Sequence, residues 1–166
     1  MGMSIKPIKP KPGQESVWDY PRPPRLEACS KHLRMVFNGE IILDTNMSFR
    51  MLETSHPPTY YFPIEAMKAG VLIPAEGTSF CEWKGVANYY DIRVGDKKVT
   101  KAAWGYLNPN KSYPQLKNTI SVYAHHMDVC YVNDEKVQAQ EGDFYGGWIT
   151  QDIVGPFKGA PGTWGW

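Results

Sequence analysis

Short apolar runs broken by turn-forming residues limit what this chain can fold into. Leu33-Arg34-Met35-Val36-Phe37 and Glu40-Ile41-Ile42-Leu43-Asp44 flank the dipeptide Asn38-Gly39. That dipeptide is the strongest local hairpin signal, because a type I′ turn needs φ > 0 at both central positions. Residues 49–53 read as a third strand. The pattern continues through 78–83, 86–94, 97–100, 102–106, 120–123 and 128–132, with turns at Gly95-Asp96 and Asn133-Asp134-Glu135. About eight or nine short strands with short connections predict a mainly β, antiparallel fold. Helix is limited to one or two short pieces, the clearest over 63–68, where Pro63 opens the turn and Gly70 follows.

Composition narrows the function classes. The 166 residues fit one domain with a core of useful size. Lys plus Arg (18) nearly balances Asp plus Glu (17), so no net field draws nucleic acid or an anionic membrane. No apolar run approaches the roughly 20 residues that span a bilayer. Residues 1–14 read as a flexible Pro/Lys leader, with Ile5-Lys6-Pro7-Ile8-Lys9-Pro10-Lys11-Pro12 at its centre and no apolar stretch of a secretory signal. Residues 15–166 read as one domain. Cys29, Cys81 and Cys130 are odd in number, far apart and free of any Cys-x-x-Cys pair. That argues against a disulfide framework or a four-cysteine zinc site and fits a reducing cytoplasm. The closing segment, 155–166, is too rich in Gly and Pro for regular structure and too aromatic to float free.

The run Glu53-Thr54-Ser55-His56-Pro57-Pro58-Thr59-Tyr60-Tyr61-Phe62-Pro63 concentrates an acid, hydroxyls, an imidazole and two phenols between three prolines. Such a stiff, polar stretch suits the wall of a site. His56 is placed to act as acid, base or hydrogen-bond donor. Cys81 is the cysteine with chemical neighbours, Glu82, Trp83 and Lys84. In a straight strand Cys81 and Lys84 would face opposite sides, so Lys84 reaches the thiol only if the chain bends, which Gly85 permits. A Cys81–His56 pair would give a thiolate nucleophile; a buried, inert thiol is the plainer alternative. Catalytic candidates are therefore Cys81, His56 and Glu53. Adjacent His125-His126 would face opposite ways in a strand and have no third ligand nearby, so no metal site is expected. Tyr and Trp recur in pairs along the chain, as a pocket that stacks a planar ring requires, and Gly146-Gly147 would admit backbone close to a ligand. The ligand-binding set read here is His56, Tyr60, Tyr61, Cys81, Lys84, Tyr89, Trp104, Tyr145 and Gly146.

Five ordered motifs carry a resemblance. They are Glu53 to Tyr61, Cys81-Glu-Trp-Lys-Gly-Val-Ala-Asn-Tyr89, Ala102-Ala-Trp-Gly-Tyr106, Phe144-Tyr-Gly-Gly-Trp148 and the run from Gly155 to Trp166. From about residue 15 onward the chain resembles domain-of-unknown-function family 427, which also carries a nucleotidyltransferase-like label. The resemblance implies a β-tent fold, two antiparallel sheets pinned along one edge, as in cereblon's ligand-binding domain and methionine sulfoxide reductase B. Many β-tent proteins pin the sheets with zinc held by two Cys-x-x-Cys pairs, which this chain lacks.

The expected function is a small-molecule-binding domain with an aromatic-lined pocket for a planar or heterocyclic ligand. It uses no cofactor, binds no nucleic acid or membrane, and has an oligomeric state the residues leave open. The alternatives are an enzyme, either Cys/His-dependent or nucleotidyltransferase-like, and a protein-interaction domain with exposed aromatics. No Gly-x-x-x-x-Gly-Lys loop or Asp-x-Asp pair supports phosphate chemistry, and Lys158 between Gly155 and Gly159 is only an isolated echo of one. Without Cys-x-x-Cys pairs, elemental analysis of the purified protein is expected to find no stoichiometric zinc. About one zinc per chain, lost together with the fold on chelation, would overturn that.

Overall fold

In a computed structural model of the protein, residues 5–142 and 144–166 are described, and their regular structure is almost entirely strand. In chain order the strands are β1 (Glu15–Ser16), β2 (Arg25–Cys29), β3 (Leu33–Phe37), β4 (Glu40–Thr45), β5 (Ser48–Leu52), β6 (Thr59–Pro63), β7 (Leu72–Cys81) and β8 (Gly85–Val94). There follow β9 (Lys97–Gly105), β10 (Thr119–Val122), β11 (Val129–Val132), β12 (Glu135–Lys136), β13 (Gln138–Ala139), β14 (Trp148–Ile149) and β15 (Ile153–Val154). The only helical pieces among the described residues are three-residue 3-10 turns, including Ile64–Ala66 where one or two helical turns were expected. Neither Pro63 at its cap nor Gly70 behind it leaves room to propagate a longer helix.

Two antiparallel sheets dominate, as the mainly β expectation requires. A seven-stranded sheet runs β2-β5-β6-β10-β9-β8-β7, and a four-stranded sheet runs β12-β11-β3-β4. Alternation explains how they meet. In β3, Leu33, Met35 and Phe37 are fully buried while Arg34 and Val36 are not, and the β3–β4 turn takes positive φ at Asn38 (48°) and Gly39 (76°). This face packs on Tyr60, Phe62, Ile92, Ile120 and Val122 of the large sheet to make the main core. All four residues of β10 are buried, so the large sheet is covered on both faces at its centre. Its second face carries Met51, Tyr61, Ala87, Trp104, Tyr106 and Tyr123, an aromatic cluster separate from the main core.

The sequence expectations differ from the fold in informative places. The Pro-rich run splits: 53–58 is loop, whereas Thr59–Pro63 is a central strand between β5 and β10. The two runs at 97–100 and 102–106 join as one strand, β9, through Lys101 at φ 50°, whose N–H donates to the Asp91 carboxylate at 2.8 Å. Strand β7 absorbs Pro74 and Gly77, both of which signal a break, by a bulge between Pro74 and Thr78. Residues 5–13 of the expected leader are exposed, and the Ile8 N–H donates to the Gly155 carbonyl at 2.8 Å; its first four residues lie outside the described ones. The closing segment lies on the body: the Lys158 N–H donates to Ser55 O and Trp18 Nε1 donates to Pro156 O, each at 2.9 Å.

One buried guanidinium ties β1 to the large sheet and braces its edge pair β2–β5. Arg50 on β5, with its side chain 7% exposed, donates to Glu15 Oε1 and Oε2 at 3.0 and 3.1 Å and to Glu27 Oε1 at 3.1 Å. Glu15 also accepts from the Tyr20 hydroxyl at 2.6 Å. The planar fork meets both acids, which lysine cannot reproduce. Because Glu15 and Glu27 are each more than a third exposed, they can rehydrate if Arg50 is lost. Arg50→Met should therefore reduce stability by about 2–3 kcal/mol in urea unfolding, below the full cost of stranding buried charges, and Arg50→Lys should recover only part.

Candidate functional site

The second face of the large sheet does not close over completely. Between it and the loops above lies a cavity of about 330 Å³. Cross-strand register lays out its floor: Tyr89 on β8 stands opposite Trp104 on β9, which stands opposite the small Ser121 on β10. Paired residues share a face, so the Trp104 ring has room to pack on Tyr123, centroids 4.4 Å apart. Tyr61 lies beneath, fully buried, and accepts from Trp104 Nε1 at 3.3 Å. It braces the floor rather than lining the cavity.

The walls come from four loops. The β7–β8 connection is a hairpin turn at 82–84, with Gly85 at φ 111°, so the chain does bend after Cys81 and brings Lys84 into the same cavity. Lys84 Nζ sits 5.9 Å over the Tyr106 ring. Burial works against its ammonium, but Tyr61, Cys81 and Glu53 outweigh that and raise its pKa, so it is charged. Burial pushes the Tyr106 and Tyr123 phenols well up, which keeps both neutral donors. From the opposite wall come Tyr145 and Gly146. A Cβ on Gly146 would collide with the Trp104 ring, and one on Gly147 with Pro57 and Gln140. The two glycines therefore admit protein neighbours to close approach, which is their first task; Gly146 also borders the cavity.

The Pro-rich loop supplies Glu53 and His56. Ser55 takes φ 72°, strained for a residue with a side chain. It is held by its N–H to Val17 O (3.0 Å) and by Lys158 N–H to its carbonyl (2.9 Å). This turn points His56 Nε2 towards Glu53 Oε2 at 3.6 Å, too long for a full hydrogen bond. The other ring nitrogen is decided by Gln140, which is 3% exposed. Gln140 Oε1 accepts from the Gly147 N–H at 3.0 Å, and its Nε2 donates to Lys158 O at 2.7 Å and to His56 Nδ1 at 3.1 Å. Reversing the amide would set donor against donor and oxygen against oxygen, so Nδ1 must accept and the proton resides on Nε2. His56 is thus a neutral donor facing the cavity. A thiolate–imidazolium pair with Cys81 would need a second ring proton, and Gln140 leaves no place for it.

Of the residues singled out in the sequence, Glu53, His56, Cys81, Lys84, Tyr89, Trp104, Tyr145 and Gly146 border one cavity. Tyr60 does not join them. Its neighbour on β6 faces the aromatic cluster, so Tyr60 faces the main core, where its ring packs against Trp148 at 5.2 Å. Gln140, Lys158, Tyr106 and Tyr123 also border the cavity. Tyr106 was visible in a paired aromatic motif and Lys158 between its glycines; nothing local marked Gln140, whose partners lie up to 84 positions away. The His125 and His126 rings lie 4.0 Å apart, tilted by 47°, in a 3-10 turn beside Tyr123.

The model of a family described as a domain of unknown function, DUF427, matches residues 25–133. No curated protein matches the chain. The matched span contains the cavity floor and the β7–β8 wall, while Gln140, Tyr145, Gly146 and Lys158 lie after it.

Burial, together with Lys158, Lys84 and Arg22, lowers the His56 pKa to about 3. The unfolded chain takes up this proton near pH 6.5 and the folded chain does not, so the stability contribution is complete above about pH 6.5 and is lost as pH falls towards 3. Between pH 7 and pH 5 that amounts to about 2 kcal/mol. His56→Asn should flatten the pH dependence of urea unfolding by that amount; an unchanged slope would show that His56 is free to protonate in the fold.

Proposed function

The chain belongs to the DUF427 family, and from that premise we propose that it is a small-molecule-binding domain whose pocket takes a planar, typically heterocyclic ligand. One observation carries this reading: aromatic side chains from widely separated segments, Trp83, Tyr89, Trp104, Tyr106, Tyr123 and Tyr145, border a single concavity. Its volume of about 330 Å³ suits a compact metabolite. Flat ring faces favour a flat partner, and edge groups fix its orientation. The Ser79 hydroxyl bonded to the Tyr89 hydroxyl at 2.7 Å, the neutral His56 Nε2–H and the Lys84 ammonium are those edge groups. His56 as donor, rather than base, favours binding over Cys/His-dependent turnover. Three free cysteines, one of them in the pocket wall, suit a reducing cytoplasmic setting.

A thermal-shift screen of planar heterocycles tests the reading, since a compound that binds the native state raises its melting temperature. Tyr145 is half-buried at the pocket wall, so Tyr145→Ala should leave the unliganded melting temperature nearly unchanged. It should weaken each hit by about fivefold or more, the loss of one ring contact and its apolar area. Hits whose shifts survive both Tyr145→Ala and Trp83→Ala would be binding elsewhere, and the pocket assignment would fail.

A further inference from the structure

The cavity's acids and lysines balance in number but do not pair with each other. Glu53, Glu82, Lys84 and Lys158 border it. Glu53 already has a cation, with Arg22 Nε 3.8 Å from its Oε2, and Glu82 is exposed at the hairpin turn. Among the described residues, neither Lys84 nor Lys158 has a Glu or Asp carboxylate within 4 Å, although Lys158 Nζ donates to Trp166 O at 3.4 Å. Each also stands over a ring of the cavity wall, Lys84 Nζ 5.9 Å from Tyr106 and Lys158 Nζ 5.8 Å from Tyr145. The Tyr145 ring under Lys158 also packs edge-on against the His56 ring, centroids 5.2 Å apart, so Lys158 and His56 serve one end of the cavity that Lys84 also borders. An aromatic cage for a cationic ligand would be defeated by those ammoniums.

Resting on the pocket reading above, we propose that the ligand is an anion: a planar aromatic or heteroaromatic ring bearing a carboxylate or phosphate group. The ring stacks against the aromatic wall. The anionic oxygens take the Lys84 ammonium first, with the Lys158 ammonium and the His56 Nε2–H as further donors. Among the described residues neither lysine has a Glu or Asp partner, and His56 Nε2 is 3.6 Å from Glu53, too far for a full hydrogen bond. Charge-assisted bonds of this kind are roughly twice as strong as neutral ones, and the partly enclosed site screens them less than open surface would.

Isothermal titration with 2-naphthoate, 2-naphthyl phosphate and the neutral isostere 2-naphthamide tests this. At least one of the two anions should bind about tenfold or more tighter than the amide, and whichever anion is preferred identifies the group. Lys84→Met should remove most of that preference while amide binding persists, and Lys158→Met gives an independent reading if the first variant folds poorly. Equal or tighter binding of the amide would overturn the anion assignment and leave the pocket reading standing, provided Tyr145→Ala weakens the amide. No binding of any of the three at about 1 mM would overturn both.

Discussion

The carboxamide of Gln140 holds the site together. Buried where the C-terminal part of the chain meets the distant Pro-rich loop, it satisfies the Gly147 N–H, the Lys158 carbonyl and His56 Nδ1 with its one oxygen and two hydrogens. A buried amide whose oxygen accepts and whose two hydrogens both donate has one orientation. From that orientation follow the tautomer of His56, the seating of the C-terminal segment against the Pro-rich loop, and the path of the chain through Gly146 and Gly147 past Trp104. The strain at Ser55 is tolerated because Val17 on one side and the Lys158 segment on the other clamp its backbone.

The large sheet separates stability from function by face. Tyr60 and Tyr61 are adjacent, and both are buried, yet one belongs to the main core and the other braces the aromatic floor. Packing against the four-stranded sheet fixes the strands in register. The opposite face can then leave a cavity unfilled without the sheet collapsing into it. The rings that border this cavity are held by their own hydrogen bonds, Trp104 to Tyr61 and Tyr123 to the Phe144 carbonyl, so the concavity is pre-formed.

Much of this was legible in the residues, for local reasons. The β3–β4 hairpin follows from Asn38-Gly39, and the strand-turn rhythm from the spacing of apolar runs. The grouping of Glu53, His56, Cys81, Lys84, Tyr89, Trp104 and Tyr145 came from their chemical company. What the residues could not show is which face a doubly buried strand presents to the site. Alternation separates Tyr60 from Tyr61 but leaves both choices open when each face is apolar. Nor does local pattern reveal a bond such as that of Gln140 to His56, which only the closed fold creates. Lys158 looked like a solitary charge among glycines because its contacts, the Tyr145 ring and the Trp166 oxygen, form only when the C-terminal segment folds back on the body.

The bulge in β7 bears on how molecules of this protein meet each other. β7 is the last strand of the seven-stranded sheet, and ten residues of uninterrupted outer edge would be a template for strands of a second copy. Pro74 has no N–H to offer, and the irregularity between Pro74 and Thr78 divides the edge into two short stretches. Neither is long enough to propagate a continuous ladder, so the fold carries its own guard against edge-to-edge polymerisation.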